Sequence, residues 1–96
     1  MRLALWQGTS PASNLNAACS QAEAALAAAA AMGAAALVLP EVWLPGYNQP
    51  DIATHALPLD SAPLHRLAAA ARLHRTALVV GYAERDGDRV YNSAAC

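Results

Sequence analysis

Ala36-Leu37-Val38-Leu39-Pro40-Glu41-Val42-Trp43-Leu44-Pro45-Gly46-Tyr47 places a strand, its stop and an acid in immediate succession. Four apolar residues, Ala36 to Leu39, read as a short strand buried on both faces, of the kind found inside a parallel sheet. Pro40 has no N–H to donate and ends the ladder. Glu41 comes next, between that strand and the apolar Val42-Trp43-Leu44, and Pro45-Gly46 turns the chain. In α/β proteins ligands bind beyond the carboxyl ends of the strands. A carboxylate at such an end, with apolar neighbours on either side, is placed to act as a base. The same position also suits a solvated loop glutamate, so position alone leaves both readings open.

Working outward, Arg2 to Gln7 reads as a first strand, with Leu3, Ala4, Leu5 and Trp6 apolar on both faces. Ser13 or Asn14 caps a helix that runs to about Met32. Its stripe of Leu15, Cys19, Ala22, Leu26 and Ala29 steps by four and three along one face. Cys19 falls on that stripe as a small buried thiol. Gly33 suits the left-handed cap that closes the helix. The unit is strand–helix–strand with the strands parallel. Asn48 to Leu59 shows no period and reads as a loop over the strand ends. Asp60 or Ser61 opens a second helix with Pro63 in its first turn and Leu64, Leu67, Ala68 and Ala71 on its buried side. Arg72, His74 and Arg75 fall in its last turn, where cations suit the dipole. Ala77 to Ala83 is the third strand. Asp86-Gly87 signals a two-residue hairpin into a last, antiparallel strand from Arg89 to Ala95.

Composition bounds the function. Ninety-six residues form one small module, 56% hydrophobic and 14% charged, which excludes a self-solvating disordered segment. The net charge of −1 offers no basic face to a phosphate backbone, so no nucleic-acid partner is expected. No signal peptide or membrane span is legible, and two cysteines do not make a disulfide framework. The cytoplasm is the expected location. His55, His65 and His74 lack metal-ligand spacing, the loop at Gly8 lacks dinucleotide-site glycines, and no serine elbow is present. Glu84 is expected to pair with Arg85 or Arg89 across the hairpin. Tyr91 and Asn92 are within reach of the site but are expected to pack as ordinary strand residues, and Trp43 as core.

Leu37-Val38-Leu39-Pro40-Glu41 followed by Leu44-Pro45-Gly46-Tyr47 resembles the first catalytic motif of the carbon–nitrogen hydrolase (nitrilase/amidase) superfamily. Leu3-Ala4-Leu5-Trp6-Gln7 resembles that family's first strand, and the Ala-rich helix into Met32-Gly33-Ala34 its first helix. Gly81-Tyr82-Ala83-Glu84-Arg85 with Tyr91-Asn92-Ser93-Ala94 resembles the hairpin before its catalytic lysine. The match spans the whole chain in the family's order.

The resemblance implies an α/β fold, the N-terminal part of a four-layer α-β-β-α sandwich. Residues 1–96 would be the N-terminal portion of a single domain, cut before the lysine and the cysteine. It implies acyl transfer at a cysteine, with a glutamate as base and a lysine steadying the oxyanion. Glu41 matches the glutamate, and Tyr47 is the candidate substrate contact. No cofactor or metal is implied. The substrate would be a small amide or nitrile, with Leu44-Pro45-Gly46-Tyr47-Asn48 leaning toward the amide and carbamoyl-amide branches. The full-length protein would form homo-oligomers. All six basic residues are arginines, so the lysine is lacking here, and Cys19 and Cys96 are both misplaced for the nucleophile. The chain alone is therefore expected to be inactive, with one sheet face lacking its partner layer. Two rival readings are a non-catalytic binding or assembly module and an unrelated small α/β ligand-binding protein.

Overall fold

The computed structural model describes residues 1–96. Strands β1 (Leu3–Leu5), β2 (Ala36–Val38), β3 (Ala77–Asp86) and β4 (Arg89–Ala95) form one sheet in that order, with helices α1 (Leu15–Ala31) and α2 (Ala62–His74). β1, β2 and β3 run parallel and β4 returns antiparallel. Each parallel neighbour follows a crossover that contains a helix, as parallel pairing requires. This is the strand–helix–strand–helix–hairpin order of the sequence reading, and it is consistent with the N-terminal part of an α-β-β-α sandwich.

Local chemistry explains the element ends. Asn14 caps α1, its Oδ1 accepting the Ala17 N–H at 3.0 Å. Gly33 takes φ 73° just past the helix, where an L side chain is disfavoured. Ser61 occupies the N-cap of α2 but makes no side-chain cap bond. The hairpin register pairs Asp86 with Arg89, so the two loop residues are Gly87 and Asp88, one position later than the dipeptide signal. Gly87 has φ 62° and Asp88 does not have positive φ, which is the II′ pattern with glycine first.

Alternation along the strands assigns the two faces of the sheet. Leu37, Leu39, Leu78, Val80 and Tyr82 face the helices and share one core with Ala18, Cys19, Ala22, Leu26 and Ala29 of α1 and Leu64, Leu67 and Ala70 of α2. On α2, Ala70 is buried where the periodicity put Ala68, which is exposed, and Ala71 is only half-buried. Arg66 ties the helices together, its guanidinium donating to Glu23, to Asn16 at 2.9 Å and to Ser20 at 3.1 Å. Trp43 is fully buried, donates from Nε1 to the Ala18 carbonyl at 3.1 Å and meets Trp6 edge to face at 6.4 Å. Cys19 is 2% exposed, and burial pushes its thiol up from the ordinary value.

The opposite face is open. Leu3 and Leu5 are 59% and 71% exposed, while Ala36, Val38 and Val79 are half-buried. The expectation that β1 and β2 are buried on both faces is therefore corrected: the helices cover one face, and no second layer lies on the other.

Candidate functional site

Glu41 sits on this open face, and the backbone explains how it gets there. The ladder continues one step past β2, with Leu39 N–H donating to the Val79 carbonyl at 2.9 Å. Pro40 then breaks it. Chain pairing with β3 resumes only at Leu44, which bridges to Tyr82 through Leu44 N–H to Gly81 O and Ala83 N–H to Leu44 O. Pro40 to Val42 make the excursion between these two anchors.

That excursion lies flat on Gly81. A Cβ at Gly81 would stand 2.6 Å from Val42 N, 2.8 Å from Glu41 Cα and 2.8 Å from Pro40 O. Only glycine admits so close a backbone, which is what an isolated glycine within a strand signals. Val42 takes φ 49°, a conformation that costs a β-branched residue of order 1–3 kcal/mol. The turn next to Glu41 is thus strained, and it is held by buried Trp43 and Leu44 on one side and Leu39 on the other.

Those apolar neighbours point into the helix-side core, so they do not enclose the carboxylate: Glu41 is exposed. It opens on a shallow cleft of about 390 Å³ lined by Leu39, Val79, Gly81, Asn92, Ser93 and Ala94. Asn92 Nδ2 donates to Glu41 Oε1. Asn92 pairs with Ala83 in the β3–β4 register, and Gly81 with Ala94, so small side chains surround the contact. The expectation of ordinary strand packing for Asn92 gives way to a direct bond to the candidate acid.

The other singled-out residues fall elsewhere. Tyr47, half-buried six residues beyond Glu41, donates its hydroxyl to the Gly8 carbonyl, and its own carbonyl accepts from Ser10 Oγ at 2.9 Å. These bonds tie the loop after β2 to the loop after β1. Glu84 pairs with neither Arg85 nor Arg89. Its carboxylate accepts from Tyr82 Oη at 2.9 Å and Ser93 Oγ at 2.8 Å, because all three share the helix-side face of the hairpin. Burial, then the bond to Glu84, pushes the Tyr82 hydroxyl up to about 12. Arg85 instead donates to the Ala53 carbonyl at 2.5 Å. His55 pairs with Asp51 at 3.0 Å, and Asp51 is held below the usual carboxylate range, chiefly by a bond from Ser13. No cluster of three metal-ligating side chains forms. An apolar hollow of about 360 Å³ between α2 and the sheet shares no lining residue with the Glu41 cleft. No helix is long and apolar enough to cross a membrane.

What this arrangement can do chemically is offer an exposed carboxylate, steadied by one amide donor, to a reacting group above the sheet. The carbon–nitrogen hydrolase family model matches residues 2–96. Among curated proteins the chain is similar to an aliphatic nitrilase from Rhodococcus rhodochrous, 38% identical over 80 residues. It is also similar to an arylacetonitrilase from Aspergillus niger, 35% identical over 78 residues, and to a bromoxynil-specific nitrilase from Klebsiella pneumoniae subsp. ozaenae, 34% identical over 82. The matched segments cover 68%, 69% and 71% of this chain and only 21%, 23% and 24% of the respective relatives.

Proposed function

The chain belongs to the carbon–nitrogen hydrolase family, and from that premise we propose that it supplies the general base of an enzyme that hydrolyses a non-peptide carbon–nitrogen bond in a small molecule. Glu41 is that base. The observation that carries the reading is its placement: an exposed carboxylate at the carboxyl end of a parallel strand, facing the open side of the sheet and held by Asn92.

In this reading Glu41 takes the thiol proton as the cysteine sulfur bonds to the amide or nitrile carbon, and hands that proton to the substrate nitrogen. An amide loses that nitrogen as ammonia or an amine at once, a nitrile after one water has added, and a thioester acyl-enzyme remains. Glu41 then draws a proton from the water that releases the acid. A lysine steadies the negative charge of the intermediates. The lysine and the cysteine belong to sequence outside these 96 residues, which form the N-terminal portion of the catalytic domain. Neither cysteine present competes for the role, since Cys19 is buried in the helix-side core and Cys96 does not line the Glu41 cleft. Tyr47 is the proposed substrate contact from the same loop. Homo-oligomer assembly and a cytoplasmic location belong to the same reading and rest on resemblance alone.

The substrate is an amide or a nitrile. The motif around Pro45-Gly46 leans toward amides, whereas the three relatives cited above are all named as nitrilases. The full-length protein assayed for ammonia release against aliphatic and aryl nitriles, primary amides and N-carbamoyl compounds separates these. Turnover of one class is expected, and failure on every class overturns the hydrolase reading.

A further inference from the structure

Asn92 is the one polar side chain of β4 that meets the Glu41 loop, and the surrounding structure fixes it there. On the helix-side face, the adjacent Ser93 is bonded through Glu84 to Tyr82, which is 2% exposed. That chain of bonds pins β4 against β3 in the register that pairs Asn92 with Ala83. On the other face, Gly81 and Ala94 leave room for the Glu41 turn to lie on the sheet. The strain at Val42 is stored in the same turn. A glutamate on an exposed turn has three side-chain torsions to settle. One donor on Oε1 fixes the carboxylate plane and leaves Oε2 as the atom free to take a proton.

We propose that Asn92 is a positioning residue for Glu41: its carboxamide occupies one carboxylate oxygen so that the other is presented to the reacting thiol and, later, to water. This rests on the reading of Glu41 as general base. The inference concerns the orientation of the carboxylate. Apart from Glu41 itself, the residues lining the cleft are Leu39, Val79, Gly81, Asn92, Ser93 and Ala94, and none of them carries an ionisable side chain.

The test uses the full-length enzyme with its best substrate, comparing wild type, Asn92→Ala, Asn92→Asp and Glu41→Gln. For Asn92→Ala, kcat should fall about 10- to 100-fold, less than the ~10²–10⁴-fold of losing a general base. KM should stay within about twofold. Asn92→Asp keeps the shape but replaces the donor with a like charge, and should be the slower of the two. Asn92 is exposed, so both variants should melt with the wild type. Wild-type kcat in Asn92→Ala, beside an inactive Glu41→Gln, would overturn the positioning role and leave the base intact. An active Glu41→Gln would instead overturn the base, and the inference with it.

Discussion

Asn92 of β4 donates its side-chain amide to Glu41, a residue 51 positions earlier in the chain, across the face of the sheet that the helices leave open. The contact joins the turn that ends β2 to the hairpin that follows α2. It therefore exists only when the parallel core and the antiparallel hairpin have both formed. The candidate base is a product of the whole α/β unit, although its motif is local in sequence.

Gly81 controls how closely that turn lies on the sheet. In the full-length enzyme, Gly81→Ala should cost about 1–3 kcal/mol, since its Cβ would meet backbone atoms that cannot rotate away. Displacement of Glu41 by about 1 Å should lower kcat on the order of 10²-fold. Denaturant midpoints and kcat measured on the same preparation check this; a variant with wild-type values in both would show that the turn relaxes freely.

Leu3 and Leu5 should behave differently in isolation and in the full protein. The isolated 96 residues expose both on an apolar sheet face and should self-associate. Leu5→Glu should shift the sedimentation profile toward monomer. In the full-length protein, where a second sheet layer is proposed to cover that face, the same change should lower stability by several kcal/mol, since it buries an unpaired charge. A monomeric, cooperatively melting isolated chain would contradict the first expectation.

Cys19 should resist thiol reagents. Its thiol is pushed up by burial above all, so the reactive thiolate is scarce at neutral pH and grows only in alkali. Alkylation followed by peptide mapping should label Cys96 rapidly and Cys19 only after denaturation. Equal labelling rates at neutral pH would show that α1 does not pack as described.

Tyr47 ties two loops together, and its proposed contact with substrate can be tested separately from that tie. Tyr47→Phe removes the hydroxyl that donates to Gly8 and should cost about 0.5–1.5 kcal/mol of stability with KM unchanged. Tyr47→Ala removes the ring as well and should raise KM about 10-fold or more if the ring contacts substrate. An unchanged KM in Tyr47→Ala would leave the residue as a loop tie alone.

Local signals account for what the sequence revealed. Asn14, Gly33, Pro40 and the Arg89–Ala95 strand were legible because caps, breakers and alternation act within a few residues. Trp43 was legible as core because a large apolar ring has few alternatives to burial. What periodicity could not supply was face and partner. Glu84 joined Tyr82 and Ser93 because side-chain parity across the hairpin outranked charge matching with Arg85 and Arg89. Apolar neighbours flank Glu41 in sequence and left its solvation open, and Trp43, Leu44 and Leu39 turn to the opposite face and leave it exposed. Asn92 and Gly81 did leave signals: an asparagine in a strand and a glycine at its centre are both disfavoured there unless something approaches closely.

The most direct test of the account is kcat/KM for Glu41→Gln in the full-length enzyme, beside its melting temperature. Glutamine keeps the shape and can still bond to Asn92 through its carbonyl oxygen, but it cannot take a proton at neutral pH. The account predicts a loss of about 10²–10⁴-fold with the melting temperature unchanged. Hydrolysis within a few-fold of wild type by a correctly folded Glu41→Gln would contradict it, and Glu41 would then be a solvated residue of the turn.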